Sequence, residues 1–262
     1  MNLRDFLFPP IVNRGFISVW SRNFLYFRKT WKVSLFWVLL EPLIYLGAIG
    51  FGLGAFVSNI NGQTYIDFFY PALLCSTGMM VAFFEGTYGG FTKLTHQRTY
   101  ATIMLTRVGP EEIAFGEILW SATKGYFSVG GVALIATILG LTGSWNIVLA
   151  LGILFVVCWL FAALAMIMTS FAKNYDSFIY STSGFIVPMS LLSGTYFPLE
   201  QLPDELKYAA YLLPLTHAVK AVRGVLQDGW SAEVTAHLSI LILASLVTTN
   251  IAIYRVRSKL LK

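Results

Sequence analysis

The stretch FPLEQLPDELKYAAYLLPLTHAVKAVRGVLQDGW, residues 197–230, lies between two strongly apolar segments but does not have the composition of an ordinary loop. The tripeptide PDE at 203–205 favours a helix start, because proline fits the first turn and acids favour the positive end of the helix dipole. Apolar residues then recur at helical spacing as far as Pro214, and a second such pattern ends at Gly229. The stretch therefore predicts two short helices hinged at Pro214, each shorter than the roughly 20 residues of a bilayer span.

Two interpretations of this outer hairpin, residues 198–230, remain open. Short, half-apolar helices are typical of segments that lie in or dip into the outer face of a membrane as a broken re-entrant pair. The same pattern fits an extramembrane helical hairpin that only packs on the spans. The candidate residues of this region are Phe197, Pro198, Pro214, His217 and Arg223.

The composition of the 262-residue chain is that of a membrane protein. It is 56% hydrophobic and 12% charged, whereas soluble domains carry about 25% charged residues. The two cysteines, Cys75 and Cys158, lie in apolar segments, which argues against a disulfide framework. The net charge of +5 is concentrated near the ends of apolar segments, which indicates membrane topology and anionic-lipid contact rather than nucleic-acid binding. The first 30 residues lack the apolar core of a cleavable signal peptide.

Residues 13–32 predict an amphipathic helix that lies in the membrane surface. Aromatic residues recur at intervals of three and four, which places them on one narrow face. Basic residues, Arg22 among them, fall on the other side, and an aromatic stripe opposite a basic face is typical of an interfacial helix. The alternative is an amphipathic helix packed on protein. The candidate residues of this interface helix are Phe16, Trp20, Arg22, Phe24 and Phe27.

Six apolar segments predict an all-α membrane protein with one transmembrane domain over residues 1–262. Each is long enough to cross roughly 30 Å of hydrocarbon, and helices satisfy their own backbone groups in lipid. The predicted spans are 33–57, 66–91, 113–141, 145–172, 177–197 and 234–254.

The distribution of basic residues predicts that both termini are cytoplasmic. In this orientation most of the 18 Lys and Arg residues lie inside, as the positive-inside rule requires. Lys207, Lys220 and Arg223 lie outside in the hairpin, and Lys124 lies within a span.

The cytoplasmic link between spans two and three contains a short helical pattern at 95–106. Tyr100, Ile103 and Met104 fall on one side of it. Two interpretations are open: a docking element for a soluble partner, or a connector only. The candidate docking residues are His96, Arg98, Tyr100 and Ile103, and the basic ones suit an acidic cleft.

Four ionisable residues lie within predicted spans: Glu41, Glu85, Glu117 and Lys124. Such residues are costly in lipid and are candidates for function. All four fall in the cytoplasmic half, so they predict a polar vestibule in which Lys124 offsets the acids and a polar headgroup enters from inside. The alternative is a set of ion pairs that locks helices together.

Signatures of catalysis are mostly absent from the sequence. It contains no GxxxxGK[ST], no HExxH and no GxSxG motif. The three histidines, His96, His217 and His237, have no metal-ligand spacing. We therefore expect no cofactor or metal on this chain, and no enzyme activity of its own.

The order of these elements resembles the ABC-2 family of ABC exporter membrane subunits, and LPLTH at 213–217 resembles a motif of the wider family. Within that family, the chain resembles a subgroup of lipo-oligosaccharide exporters more closely. The segments that carry that resemblance are FEGTY at 84–88, HQRT at 96–99, GEILWSATK at 116–124, YDSF at 175–178 and FPLEQL at 197–202.

The resemblance implies a homodimer in the bacterial inner membrane, paired with two copies of a separate ATP-binding subunit that carries ATP and Mg. The segment 95–106 corresponds to the coupling helix, 13–32 to the interface helix, and 203–227 to the outer helices that cap the exit path. Spans one, two and five correspond to the conduit. The implied function is ATP-driven export of an amphipathic glycolipid or lipo-oligosaccharide.

Two other functions are compatible with the sequence. One is the same architecture exporting a drug or natural product. The other is a membrane-embedded lipid-modifying enzyme that uses Glu41, Glu85 or His217, although no convergent nucleophile and base can be identified.

Overall fold

The computed structural model describes residues 12–57, 59–60, 62–141 and 145–261, and these are almost entirely helical, which confirms the all-α class. Several helices contain π-helical turns, which the ranges below include. In chain order the helices are α1 (Gly15–Ala55, of which Leu53–Ala55 is a 3-10 turn), α2 (Tyr65–His96), α3 (Thr99–Ile103), α4 (Pro110–Ile138), α5 (Asn146–Phe171), α6 (Ser177–Leu192), α7 (Asp204–Tyr211), α8 (Pro214–Asp228) and α9 (Ala232–Leu260).

Four helices, α2, α4, α5 and α9, are long and apolar enough to cross a membrane. They correspond to predicted spans two, three, four and six, with ends shifted by up to six residues. A fifth span is formed if the pair Gly15–Ser34 and Leu39–Ala55 is counted as one bent segment. The predicted count of six stays a prediction, because α6 is shorter than the 18 residues required of a candidate span.

The fifth predicted span, 177–197, ends earlier than predicted. Helix α6 stops at Leu192, and Gly194 follows with a φ of +73°. This left-handed conformation ends helices readily only at glycine. The chain then continues without helix through Phe197 to the buried Pro198.

Helix α1 joins the predicted interface helix directly to the predicted first span. Its two halves, Gly15–Ser34 and Leu39–Ala55, meet at 45°. Pro42 lies inside the helix, and a proline lacks the N–H that would bond the carbonyl four residues earlier. The bend falls close to that missing hydrogen bond, which explains its position.

The aromatic stripe of the interface helix packs on α4, so its contact is with protein. The rings of Phe16 and Phe115 meet edge to face at 5.0 Å, and Phe27 lies 5.8 Å from Trp120. Trp20 donates from Nε1 to Thr123 Oγ1 over 3.1 Å. The placement of this helix in the membrane surface stays a prediction.

Two further residues of the interface helix, Phe24 and Arg22, also make defined side-chain contacts. Phe24 stacks on Trp20 at 5.2 Å, parallel within 6°. Arg22 lies on the opposite, basic side of the helical pattern, and its guanidinium nevertheless reaches Glu117 Oε1 at 3.2 Å. A long side chain can bend round the helix to a buried acid, and this pairing outweighs its position in the helical pattern.

Small residues allow α2, α4 and α5 to approach closely. A Cβ added at Gly86 would lie 2.6 Å from Ala165 Cβ, and one at Gly125 would lie 3.0 Å from Ala82 Cβ. Thr169 donates to the Gly86 carbonyl oxygen at 2.9 Å. Close backbone approach and interhelical hydrogen bonds hold helices together in lipid, where apolar burial gives no advantage over lipid contact.

The outer hairpin forms α7 and α8, with Pro214 in the first turn of α8. Helix α8 buries Val219, Val222 and Val225 against the spans. In α7 only Ala210 is buried, while Leu206 and Tyr208 are exposed, as is Leu212 just after it. Helix α8 therefore packs more closely on the spans than α7 does, and the re-entrant position of the hairpin stays a prediction.

Arg223 fastens α8 to the rest of the chain. Its Nη2 donates to the carbonyl oxygens of Phe68 and Gly194, each at 3.0 Å. Its guanidinium also lies 4.0 Å from the centre of the Phe68 ring. Burial lowers the pKa of Arg223 to about 10, so the side chain is still charged at neutral pH and holds α8 against α2.

His217 of α8 and His237 of α9 contact each other through their Nδ1 atoms at 2.9 Å. The Nε2 of His217 lies 3.0 Å from the Tyr211 carbonyl oxygen, which only accepts, so this nitrogen carries the proton. His217 Nδ1 must then accept from His237. Burial lowers the pKa of His217, with Lys220 adding to the effect and the Tyr211 carbonyl opposing it.

Acidification is therefore expected to weaken the outer hairpin. Because the folded-state pKa of His217 lies below its unfolded value of about 6.5, its stabilising contribution is present above that pH and is lost as the pH falls. Between about pH 7.5 and pH 5 the melting temperature of the wild type should fall a few degrees further than that of His217→Gln, about the effect of one lost hydrogen bond.

The measurement is thermal unfolding of the full chain in detergent. His96→Gln is the matched control, because His96 is exposed on the predicted cytoplasmic side. His96→Gln should keep the wild-type pH dependence of the melting temperature. Equal pH dependence in the wild type, His217→Gln and His96→Gln would contradict the assignment of the pH effect to His217.

Candidate functional site

Charged side chains from α1, α2 and α4 form one network, here called the ion cluster: Arg22, Glu85, Lys93, Glu117 and Lys124. Lys124 Nζ lies 2.7 Å from Glu85 Oε2, and Lys93 Nζ lies 2.7 Å from Glu117 Oε2. Lys93 Nζ also lies 3.5 Å from Glu85 Oε1, so it joins the two acids. Arg22 completes the cluster through Glu117.

Glu117 is the most enclosed member, with its side chain 1% exposed. A buried carboxylate is costly unless it is paired and hydrogen-bonded, and Asn23 Nδ2 donates to it at 3.0 Å in addition to its two cations. Glu85 is stabilised in the same way by the indole N–H of Trp120 at 2.8 Å. The cluster therefore ties three helices together at one depth.

Three of the four predicted vestibule residues meet in this cluster: Glu85, Glu117 and Lys124. Glu41 does not join them, since it is exposed on α1 and forms no ion pair among the described residues. Arg22 and Lys93 were missed, because the positive-inside rule already explained basic residues near span ends. Opposite charges at similar predicted depth were the signal that could have identified them.

A cavity of about 500 Å³ lies beside the cluster, between α1, α2 and α6. Glu85, Lys124 and Glu41 are among its lining residues. The walls are mainly apolar with several hydroxyl groups; they include Tyr45, Phe69, Leu73, Met80, Leu191, Ser76, Thr77, Ser190 and Thr195. We call this the central cavity, and its mixed lining suits a molecule with a polar and an apolar part.

A second cavity of about 320 Å³ lies between the interface helix and α2. It shares Glu85, Gly89 and Lys124 with the central cavity, so these residues separate the two. Arg22 and Lys93 line only the second cavity. We call it the basic cavity.

The predicted docking segment folds as the short helix α3, but Tyr100 points inward. Its side chain is fully buried and packs in one cluster with Val19 of α1 and Ile113 of α4. Burial and the nearby Glu117 carboxylate raise the pKa of Tyr100. The apolar face predicted for docking, which includes Ile103, is thus turned toward the chain itself because it is the face that can be shielded from water.

The outward face of this segment is different. Arg98 is exposed and immediately precedes α3, with a φ of +48°. Leu105 is 87% exposed. His96 stacks on Tyr175 at 5.3 Å, parallel within 4°, a contact to the α5–α6 link that the sequence did not predict.

Comparison with known proteins agrees with this architecture. The model of the family described as ABC-2 type transporter matches residues 14–226. The chain is similar to nodulation protein J of Rhizobium meliloti strain 1021, 34% identical over 88% of both chains. It is also similar to nodulation protein J of Rhizobium leguminosarum bv. viciae, 31% identical over 97% of this chain and 98% of that one.

A more distant relative is the inner membrane transport permease YadH of Escherichia coli strain K12, 21% identical over 79% of this chain and 80% of that protein. No solved structure matches. The family match covers most of the chain, and the two nodulation proteins align over 88% and 97% of it. The chain therefore belongs to the ABC-2 family of transport permeases.

Proposed function

We propose that this chain is the membrane subunit of an ATP-driven exporter that moves an amphipathic glycolipid or lipo-oligosaccharide out of the cytoplasm or the inner leaflet. The central cavity carries this proposal. Its volume of about 500 Å³ lies within the roughly 300–1,000 Å³ of ligand pockets. Its charged residues suit a polar headgroup, and its apolar walls suit an acyl chain.

The proposed assembly contains a second copy of this chain and two copies of an ABC ATPase, the partner class that ABC-2 membership implies. Large apolar side chains on α1 and α6, the helices that line one side of the central cavity, are exposed, including Ile44, Ile179 and Phe185. A second copy that packs on these helices would close that side of the cavity. ATP and Mg would bind the partner, since this sequence has no P-loop.

The proposed location is the bacterial inner membrane with both termini cytoplasmic. This orientation rests on the excess of Lys and Arg in the loops that it places inside. It also puts α3 on the side where ATP is available.

In the proposed coupling route, the ATPase contacts the outward side of the segment 95–106 through Arg98 and Leu105, which flank α3. Tyr100, on the inner face, packs on Val19 and lies close to Glu117. A push on α3 would then reach both the interface helix and the ion cluster. The clustered contacts support this route because packed side chains transmit displacement.

Filling the central cavity should slow export. Met80→Trp places an indole in the lining of this cavity. We expect the initial rate of ATP-dependent uptake of a labelled lipo-oligosaccharide into inverted membrane vesicles to fall about tenfold, equivalent to about 1.4 kcal/mol. Val148→Trp is the matched control, because Val148 is 59% exposed and should accept the larger ring.

Hydrophobic dyes are assayed in the same vesicles. Uptake of dyes without uptake of the labelled lipo-oligosaccharide would contradict the proposed substrate class. Unchanged uptake by Met80→Trp would contradict the central cavity as the path.

Replacing Leu105 should uncouple the ATPase. Leu105→Asp puts a charge on an exposed apolar side chain of the α3 segment, so copurification of an ATPase in mild detergent should fall severalfold. The control is Leu212→Asp, because Leu212 is also an exposed leucine (85%) and lies in the outer hairpin, outside the predicted spans and on the predicted opposite side of the membrane. Equal recovery of the ATPase with both variants would show that the α3 segment is not the docking site.

A further inference from the structure

The ion cluster contains more positive than negative side chains. Three cations, Arg22, Lys93 and Lys124, share two carboxylates, Glu85 and Glu117. The four side chains other than Arg22 are between 1% and 23% exposed. An unbalanced charge in such an enclosed place is costly, so the cluster favours an additional anion.

The surplus cations also have hydrogen-bond donors left over. Arg22 uses Nη2 for Asn23 and Glu117, while its Nε is buried and without a partner among the described residues. Each lysine ammonium carries three donors. Lys124 Nζ makes one hydrogen bond, to Glu85, and Lys93 Nζ makes one, to Glu117, among the described residues.

The basic cavity provides the space for such an anion. All three cations line it, and Glu85 is the acid among its lining residues. Hydroxyl and amide groups of Tyr26, Thr30, Ser34 and Gln97 line it as well, and Phe27 and Trp120 add apolar walls. Glu41 lies on the central cavity and is not part of this lining.

We propose that the basic cavity binds the phosphate group of an anionic acyl lipid, held by Arg22, Lys93 and Lys124 with the acyl chains along Phe27 and Trp120. Guanidinium and ammonium groups are the side chains that recognise lipid phosphates. The proposed ligand is a lipid of the surrounding membrane. The site is therefore separate from the exported molecule and goes beyond the proposed function.

Two substitutions at the same ion pair test this proposal. Glu85→Gln and Lys124→Gln both break the 2.7 Å contact between these residues, so a purely structural role predicts similar losses for both. The proposal predicts opposite effects, because the first variant increases the positive charge of the cavity and the second decreases it.

The measurement is native mass spectrometry of the full-length chain, with the ATPase that copurifies with it, titrated with phosphatidylglycerol and with phosphatidylcholine. The wild type should prefer phosphatidylglycerol about tenfold. Glu85→Gln should keep or increase this preference, whereas Lys124→Gln should lose most of it. Equal weakening in both variants, or no preference in the wild type, would overturn the proposal.

A further titration adds inorganic phosphate. If inorganic phosphate displaces phosphatidylglycerol at low millimolar concentration, the site binds free phosphate and the acyl part of the proposal is wrong. Persistence of the lipid under these conditions supports a lipid site. No transported molecule enters these assays, so their outcome is independent of the substrate proposed for export.

Discussion

The pairing of the buried Glu117 carboxylate is the interaction on which the packing of α1, α2 and α4 depends. The acid comes from α4, while its cations come from α1 and α2. A carboxylate that is 1% exposed must be paired where it lies. The three helices are therefore brought together at one depth, and the two cavities lie on either side of the neighbouring pair, Glu85 and Lys124.

The same interaction connects the surface of the chain with its interior. Tyr100 anchors α3 beneath the surface and lies near Glu117, while Lys93 links Glu117 to Glu85 on the cavity wall. An ion cluster of this kind contributes little net stability compared with apolar packing, but it has a defined geometry that a small displacement can change. This is the property that the proposed coupling route requires.

Hydropathy and helical periodicity predicted the helices well, because lipid permits few other backbone forms. The cost of charge in lipid selected Glu85, Glu117 and Lys124, which lie in one cluster, together with Glu41, which does not join them. The same reasoning missed Lys93 and Arg22 as members of the ion cluster, because the positive-inside rule already explained basic residues at these positions.

Features that depend on tertiary contact could not be predicted from the sequence. The inward direction of Tyr100 depends on shielding by α1 and α4, which no local pattern contains. The early end of α6 depends on the positive φ of Gly194. The sequence contains other glycines, and the sequence alone does not indicate which glycine adopts a positive φ. The two helices of the outer hairpin also differ through tertiary contacts. Arg223 and a buried valine face hold α8 in place, while α7 buries only Ala210. Helix α7 is therefore the less firmly packed half of the hairpin, and the Thr216 hydroxyl ties it to α8 by donating to the Ala210 carbonyl oxygen at 2.6 Å.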